Sequence, residues 1–295
     1  MPPPKRFWRE MSTQVFADHD TSDWIAVLPT AAIEQHGPHL PVGVDALIAE
    51  AMVNRAAVAL PEHSPAVFLP VQEICKSDEH IAFPGTLTLD WEAAIKSWLQ
   101  IGASVARAGV RKLLIITSHG GNVPPMDIVA RELRRTAHMA VITTAWTRLR
   151  AGPVYEYGDA PVIDIHGGLS ETSMMLALWP ELVDKAQAGN FTSAQTMLRQ
   201  GSAKLGYHMA EANMAWLSQD LNPKGAVGNA SAATAELGVR DVTGQIEGFC
   251  ALIEDIARVA PPDQGSPDKD PSGPGGSKAA AGCHVNRTDG ATGLN

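Results

Sequence analysis

Short apolar runs rich in β-branched residues alternate with longer segments of helical periodicity between residues 24 and 145. The runs predict strands over residues 24–28, 67–69, 112–117 and 140–145. The segments between them predict helices over residues 44–60, 90–108 and 124–136, with Asp90 as the N-cap of the second helix. Alternation of this kind is typical of βαβ units. The pattern therefore predicts an α/β, doubly wound fold, in which a mostly parallel sheet is covered on both faces.

The C-terminal part of the chain divides into a helix and a segment of different composition. Apolar residues recur at helical spacing over residues 242–259, which predicts a terminal amphipathic helix. Residues 261–295 contain five Pro and seven Gly, and only Val285 and Leu294 are sizeable apolar side chains. Such a segment buries too little surface to offset its ordering entropy. We therefore expect one domain over residues 1–260 and a disordered tail over residues 261–295.

Composition and charge narrow the classes of function. The chain has 295 residues and a formal net charge of −9, from 32 acidic and 23 basic side chains. Because the excess charge is negative, we expect no binding of nucleic acid or of a membrane surface. The N-terminus has no apolar signal region, so a cytoplasmic protein is expected. The three cysteines, Cys75, Cys250 and Cys283, have no short spacing and are expected to be free thiols.

The segment after the first predicted strand carries two acids and a histidine. Glu34 and His36 are two residues apart, so their side chains leave the same face of an extended segment. The Gly/Pro-rich turn that follows can bring Asp45 back toward them. These groups are either metal ligands in one pocket or a polar surface loop, with Asp45 placed at a helix N-terminus by the dipole.

The third predicted strand runs directly into Ser118-His119-Gly120-Gly121-Asn122. One interpretation is an anion-binding turn, because glycines admit a ligand close to the backbone and amides at a helix start attract negative charge. The other gives His119 a metal and the two glycines the clearance around it. The motif by itself leaves both open.

A third segment opens another predicted helix, with His166 before it and Ser170 as its expected N-cap. Glu171 then lies in the first turn, where the helix dipole alone explains an acid. His166 on its own is equally an ordinary loop histidine. All three segments follow predicted strands or open helices, however, and should meet at one edge of the sheet.

Four segments occur in a fixed order along the chain. They are Glu34-Gln-His36-Gly-Pro-His-Leu-Pro with Asp45, Glu79-His80-Ile-Ala-Phe-Pro-Gly-Thr86, Ser118-His119-Gly-Gly-Asn122 and His166-Gly-Gly-Leu-Ser-Glu171-Thr-Ser173. Together they resemble the motifs of the creatininase (creatinine amidohydrolase) family. The resemblance implies a dinuclear metal amidohydrolase on a three-layer αβα fold, assembled as a homo-oligomer, a hexamer or similar. It also implies metal ligands at Glu34, His36, Asp45 and His119, with Asp45 bridging two ions.

One position departs from the family pattern. Creatininase proper resembles His-Tyr-Glu-Asn in the third motif, with its Glu on a metal, whereas Gly121 stands at the corresponding position here. We expect Glu171 to supply the missing ligand or to act as a catalytic group. Branches with His-Gly-Gly-Asn resemble formamide deformylases and a peptidase that trims a mycofactocin precursor, which argues against creatinine itself as the substrate.

The donor set fits the implied chemistry. Imidazoles and carboxylates without thiolate suit Zn, Mn or Fe, and such ions activate water and polarise a carbonyl oxygen. His166 is expected to protonate the leaving nitrogen. Trp146 is expected either as a pocket wall or as a core anchor, and Gly120 and Gly121 as contacts to substrate.

The sequence therefore predicts a metal-dependent hydrolase of a C–N amide bond in a small linear or cyclic amide. A peptidase or formamide deformylase of the same family is the first alternative. A non-catalytic α/β module that binds an anion is the second. Residues 79–86 are assigned to the pocket rim or a subunit contact, without a chemical role.

Overall fold

A four-stranded parallel sheet forms the centre of the computed structural model, which describes residues 1–150, 164–208 and 210–262. Its strands are β1 (Ile25–Thr30), β2 (Ala66–Phe68), β3 (Lys112–Thr117) and β4 (Ala140–Ala145). They lie in the order β2-β1-β3-β4, and every neighbouring pair is parallel. The predicted α/β fold with a mostly parallel sheet is confirmed.

Helices cover both faces of this sheet. The longer ones are α2 (Val44–Ala59), α3 (Trp91–Arg107), α4 (Val123–Thr136), α5 (Leu169–Leu178) and α8 (Ala235–Arg258). Alternate residues of β1 enter two separate cores: Ile25 and Val27 pack with α2, α5 and α8, whereas Ala26 and Leu28 pack with α3 and α4. This division follows from the two-residue period of side chains along a strand. The result is a three-layer αβα architecture.

Smaller elements complete the described chain. They are α1 (Thr13–Asp18), β5 (Asn190–Phe191), α6 (Ala194–Gly201), β6 (Leu205–Gly206), β7 (Ala212–Asn213), α7 (Ser218–Leu221) and β8 (Gly228–Asn229). β5 pairs with β8 and β6 with β7, outside the main sheet. The four strands among them have two residues each and carry too little periodicity to detect in the sequence.

The structure corrects some predicted boundaries. α8 begins at Ala235, seven residues before the predicted start, with the Thr234 hydroxyl accepting from the Leu237 amide. The N-cap of α5 is Gly168, so the expected cap at Ser170 is wrong. The Asp164 carboxylate instead accepts from the amides of Leu169 and Ser170, at 2.9 and 3.0 Å. A side chain upstream of the helix thus satisfies its first donors.

The described residues up to Pro262 form one compact unit. The expected tail over residues 261–295 lies almost wholly outside the described ranges and stays a prediction. Cys75 and Cys250 are free thiols, while Cys283 lies outside those ranges. Within the described chain, no helix combines the length and apolar character that crossing a membrane requires.

The strand register sets the position of the candidate site. Thr30 at the end of β1 pairs with Thr117 at the end of β3, which pairs with Ala145 at the end of β4. The segments that follow these strands therefore leave the sheet at one edge. α2 lies on one face and α3 and α4 on the other, so the winding direction reverses between β1 and β3. Ligands of open α/β sheets bind at such a reversal.

Candidate metal centre

The loop after β1 folds Glu34, His36 and Asp45 together. The Glu34 amide donates to the Val42 carbonyl at 2.8 Å, which closes the loop and sets Asp45 in the first turn of α2. Gly37 at φ 77° makes the reversal, a conformation that L side chains rarely adopt. His36 Nδ1 lies 3.0 Å from the Glu34 carbonyl oxygen. If Nδ1 carries the proton, Nε2 keeps the lone pair that a metal ion requires.

Among the described residues, three groups of three side chains offer ligand atoms at mutual distances suited to a metal ion, and two of these groups contain Asp45. The first group is Glu34, Asp45 and His119, and the second is His36, Asp45 and Glu171. His119 Nδ1 lies 3.1 Å from Glu34 Oε2 and 3.6 Å from Asp45 Oδ2. His36 Nε2 lies 3.8 Å from both Asp45 Oδ2 and Glu171 Oε2. One carboxylate is thus shared by two candidate ion positions.

The residues present fit a pair of divalent cations. Glu34 Oε1, His36 Nε2 and Asp45 Oδ2 are buried, and none has a hydrogen-bond partner among the described residues. Such orphaned polar atoms are costly unless something replaces the lost water. Because all three converge on the same space and offer lone pairs, a cation is the ligand that satisfies them together.

The electrostatics of the site also call for positive charge. Burial raises the pKa of the Asp45 carboxyl well above its usual range, and the nearby Glu34 carboxylate adds to this effect. Burial alone would raise the pKa of Glu34 too, but the imidazoles of His119, His80 and His166 hold it well below its usual range. Burial disfavours charge on His119, yet the surrounding carboxylates raise the pKa of this imidazole well above its ordinary value. The raised pKa values of Asp45 and His119 favour bound protons in a space where a cation would supply the same positive charge.

His166 lies just before α5, and Glu171 lies in the first turn of that helix. Burial lowers the pKa of His166 to about 4, and the nearby His36 adds to this effect. Its Nε2 is hydrogen-bonded to the Gln35 carbonyl oxygen, and its Nδ1 lies 3.5 Å from Glu34 Oε1. Glu171 accepts from the Gly167 amide, and burial raises the pKa of its carboxyl. His166 also forms a third candidate metal group with Glu34 and His36.

Sequence reasoning missed two residues that contact Glu34. His80 Nε2 lies 3.2 Å from Glu34 Oε1, and the Ser77 hydroxyl donates to Glu34 Oε2 at 2.6 Å. The ring of His80 stacks on that of His166 at 4.2 Å between centroids. The segment after β2 therefore belongs to the centre itself. The signal was its place in the connection between β2 and α3, on the side of the sheet where the segments after β1 and β3 also begin.

A cavity of about 410 Å³ opens over these residues. Trp91, Trp216 and Leu217 form apolar parts of its wall, and Gly120 and Gly121 also line it. Trp146 is not brought to the cavity: it is 1% exposed and packs on Phe249 at 5.0 Å between ring centroids. Its position corresponds to the core-anchor alternative.

Comparison with known proteins decides the family. The model of the family described as creatininase, creatinine amidohydrolase, matches residues 9–253. The chain belongs to the creatininase family. The creatinine amidohydrolase of Pseudomonas putida is 33% identical over 193 residues, which are 60% of this chain and 71% of that protein. The predicted family resemblance is confirmed.

Other members of the creatininase family share more of the chain's length. The mycofactocin precursor peptide peptidase of Mycobacterium ulcerans (strain Agy99) is 31% identical over 251 residues, covering 81% of this chain and 86% of that protein. A crystal structure of creatinine amidohydrolase superposes with a TM-score of 0.69 at 26% identity, covering 87% of this chain and 99% of that one. Solved creatininase structures include a manganese form and a variant of Zn-Zn type.

Proposed function

We propose that this creatininase-family hydrolase is a metal-dependent amidohydrolase with two divalent ions, Zn, Mn or Fe. The observation that carries the proposal is the pair of ligand groups that share Asp45. The first ion would be held by Glu34, Asp45 and His119, and the second by His36, Asp45 and Glu171. Imidazole and carboxylate donors without thiolate suit these metals.

Two such ions, when bound, lower the pKa of a water and polarise a carbonyl oxygen, which is the chemistry that amide hydrolysis needs at neutral pH. The chain's own residues supply proton transfer and positioning. His166 donates Nε2–H to the Gln35 carbonyl, which fixes the ring and leaves Nδ1, 3.5 Å from Glu34 Oε1, as an acceptor. A neutral imidazole with a lowered pKa accepts a proton at Nδ1 and delivers it to the leaving nitrogen.

The cavity supports a small, linear or cyclic amide as the substrate. Its volume of about 410 Å³ admits a compact molecule, and Trp91 and Trp216 provide apolar faces beside the polar centre. A peptidase is the second candidate, because the mycofactocin precursor peptide peptidases align over most of the chain. A formamide deformylase remains an alternative within the same chemistry.

The structure does not favour an anion-binding module. The helix after Gly120-Gly121 begins Val123-Pro124-Pro125, and the two prolines lack the amide protons that would hold an anion. The Glu79 carboxylate also lies beside this turn. A cation therefore fits this turn better than an anion does.

Metal analysis with an activity screen tests the proposal. We expect about two divalent ions per chain. Three panels of compounds, namely cyclic amides, formamides and short peptides, are assayed with Mn and with Zn, and we expect hydrolysis of a compound from one panel. Asp45→Ala should abolish turnover and remove at least one ion, because this carboxylate belongs to both groups. The control is Asp255→Ala, which breaks an exposed ion pair with Arg258. A metal-free wild-type protein that binds phosphate instead would contradict the proposal.

A further inference from the structure

Gly121 lies where no side chain fits. A Cβ built on it would come closer than 3.0 Å to both Glu79 Oε1 and His119 Nε2. Its neighbour Gly120 has nothing within 4 Å of such an atom, although both glycines line the same cavity. The space beside residue 121 is therefore occupied by the Glu79 carboxylate and the edge of the His119 ring, and a side chain there would displace one or both of them.

The two ring nitrogens of His119 lie beside different carboxylates, and Glu79 is the one beside Nε2. His119 Nδ1 faces Glu34 at 3.1 Å, while Nε2 lies 3.4 Å from Glu79 Oε1. Among the described residues, Nε2 makes no hydrogen bond, and Glu79 is the carboxylate that lies beside it. An imidazole that binds a metal through one nitrogen needs an acceptor for the proton on the other, and a carboxylate is a common one.

Glu79 lies beside a candidate ligand, His119, and outside the candidate ligand groups. It belongs to none of the three candidate metal groups. Its backbone carbonyl accepts from the Ser218 hydroxyl at 2.9 Å, and this hydroxyl also contacts His80 Nδ1 at 2.6 Å. Because His80 also contacts Glu34, the turn that carries Glu79 is held at the candidate metal centre by two contacts, one through Ser218 and one through His80.

We propose that Glu79 is a positioning residue that holds His119 with Nδ1 toward the metal, and that Gly121 provides the space this carboxylate needs. The inference rests on the proposed metal centre. It gives a role to a segment for which sequence alone indicated none, and it assigns the departure at Gly121 a physical reason.

The test compares Glu79→Ala, Glu79→Gln and Gly121→Ala, with Gly120→Ala as the matched control. We expect Zn²⁺ affinity to fall about 10-fold or more in Glu79→Ala and Gly121→Ala, the range typical of lost outer-shell partners. Glu79→Gln keeps an oxygen acceptor, so its affinity should stay within about 3-fold of wild type. Gly120→Ala should also stay within about 3-fold, because its methyl group enters open space. Melting curves confirm that each variant is folded.

A second readout separates this inference from the metal centre. In the metal-free protein, ¹⁵N-edited NMR detects the His119 Nε2 proton, which should exchange faster with water in Glu79→Ala and Gly121→Ala than in wild type. Wild-type affinity and an unchanged proton signal in both variants would overturn the role of Glu79. Equal losses in Glu79→Gln and Glu79→Ala would overturn it as well. A wild-type protein that binds no divalent ion would overturn the metal centre, while the proton signal would still report on Glu79.

Discussion

At the scale of single residues, Glu171 offers two distinguishable roles. Its carboxylate lies in a candidate ligand group with His36 and Asp45, and it also lies in the first turn of α5. If it is a ligand, Glu171→Gln should weaken one of two metal sites by about 10-fold or more, because an amide carries no charge to offset the cation. Metal titration alongside thermal melting checks this.

If Glu171 acts only on the helix dipole, the same change costs about 1 kcal/mol or less and leaves metal content intact. Two ions at wild-type affinity with lost turnover would make Glu171 a general base. In that case a residue other than Glu171 must supply the metal ligand for which Gly121 has no side chain.

His39 makes stability depend on pH. It is buried at 1% exposure, contacts the Thr172 hydroxyl at 2.9 Å and stacks on Phe191. Burial lowers its pKa from 6.5 to about 4, with a smaller contribution from the nearby His166. Between these values the unfolded chain binds the proton and the folded chain does not, so stability must rise with pH across that interval.

We therefore expect the stabilisation from neutral His39 to be complete above about pH 6.5 and to shrink as the pH falls to about 4, by up to about 3 kcal/mol. Urea unfolding of wild type and His39→Gln at several pH values measures it. The difference in unfolding free energy between the two proteins should narrow over this interval. A constant difference would contradict the assignment.

At the scale of elements, α5 and α8 approach so closely that only glycine fits between them. A Cβ on Gly238 in α8 would overlap the Ser173 carbonyl oxygen in α5. Gly238→Ala should thus push the helices apart and cost about 1–3 kcal/mol in unfolding free energy, as overpacking does. Urea denaturation measures the loss. Gly201→Ala in α6, with nothing within 4 Å, is the control and should be neutral or slightly stabilising.

The bounds of the strands and helices show how far the periodicity of apolar residues predicts an element. The predicted bounds of β3 and β4 agree with the structure, since both segments are rich in apolar and β-branched residues. α8 was predicted too short because Gly238 and the polar residues of its first turns interrupt the apolar spacing. These positions are tolerated because α5 lies against them, which is a tertiary effect.

At the scale of the whole molecule, the tail prediction remains open to a direct test. Deletion of residues 263–295 should leave the melting temperature and turnover nearly unchanged, because the segment carries so few apolar groups. Differential scanning calorimetry and an activity assay of the truncated protein check this. A melting temperature several degrees lower would show that the segment docks on the folded body or on a partner subunit. The homo-oligomer, a hexamer or similar, and the cytoplasmic location also stay predictions.

The sequence by itself determined the class of fold, the family and the residue types of the site. Strand and helix periods are local properties, and three of the four motifs lie at the end of a predicted strand or the start of a helix. The order of the Glu, His and Asp residues along the chain can therefore be recognised from the sequence alone.

Only the tertiary structure decided which of these residues meet. The parallel register of β1 and β3 brings Asp45 and His119 to one edge, and the turn after β2 adds His80 and Glu79. Trp146 instead enters the core. Residues separated by tens of positions come into contact through packing of whole elements, and the spacing of a single segment carries no information on that distance.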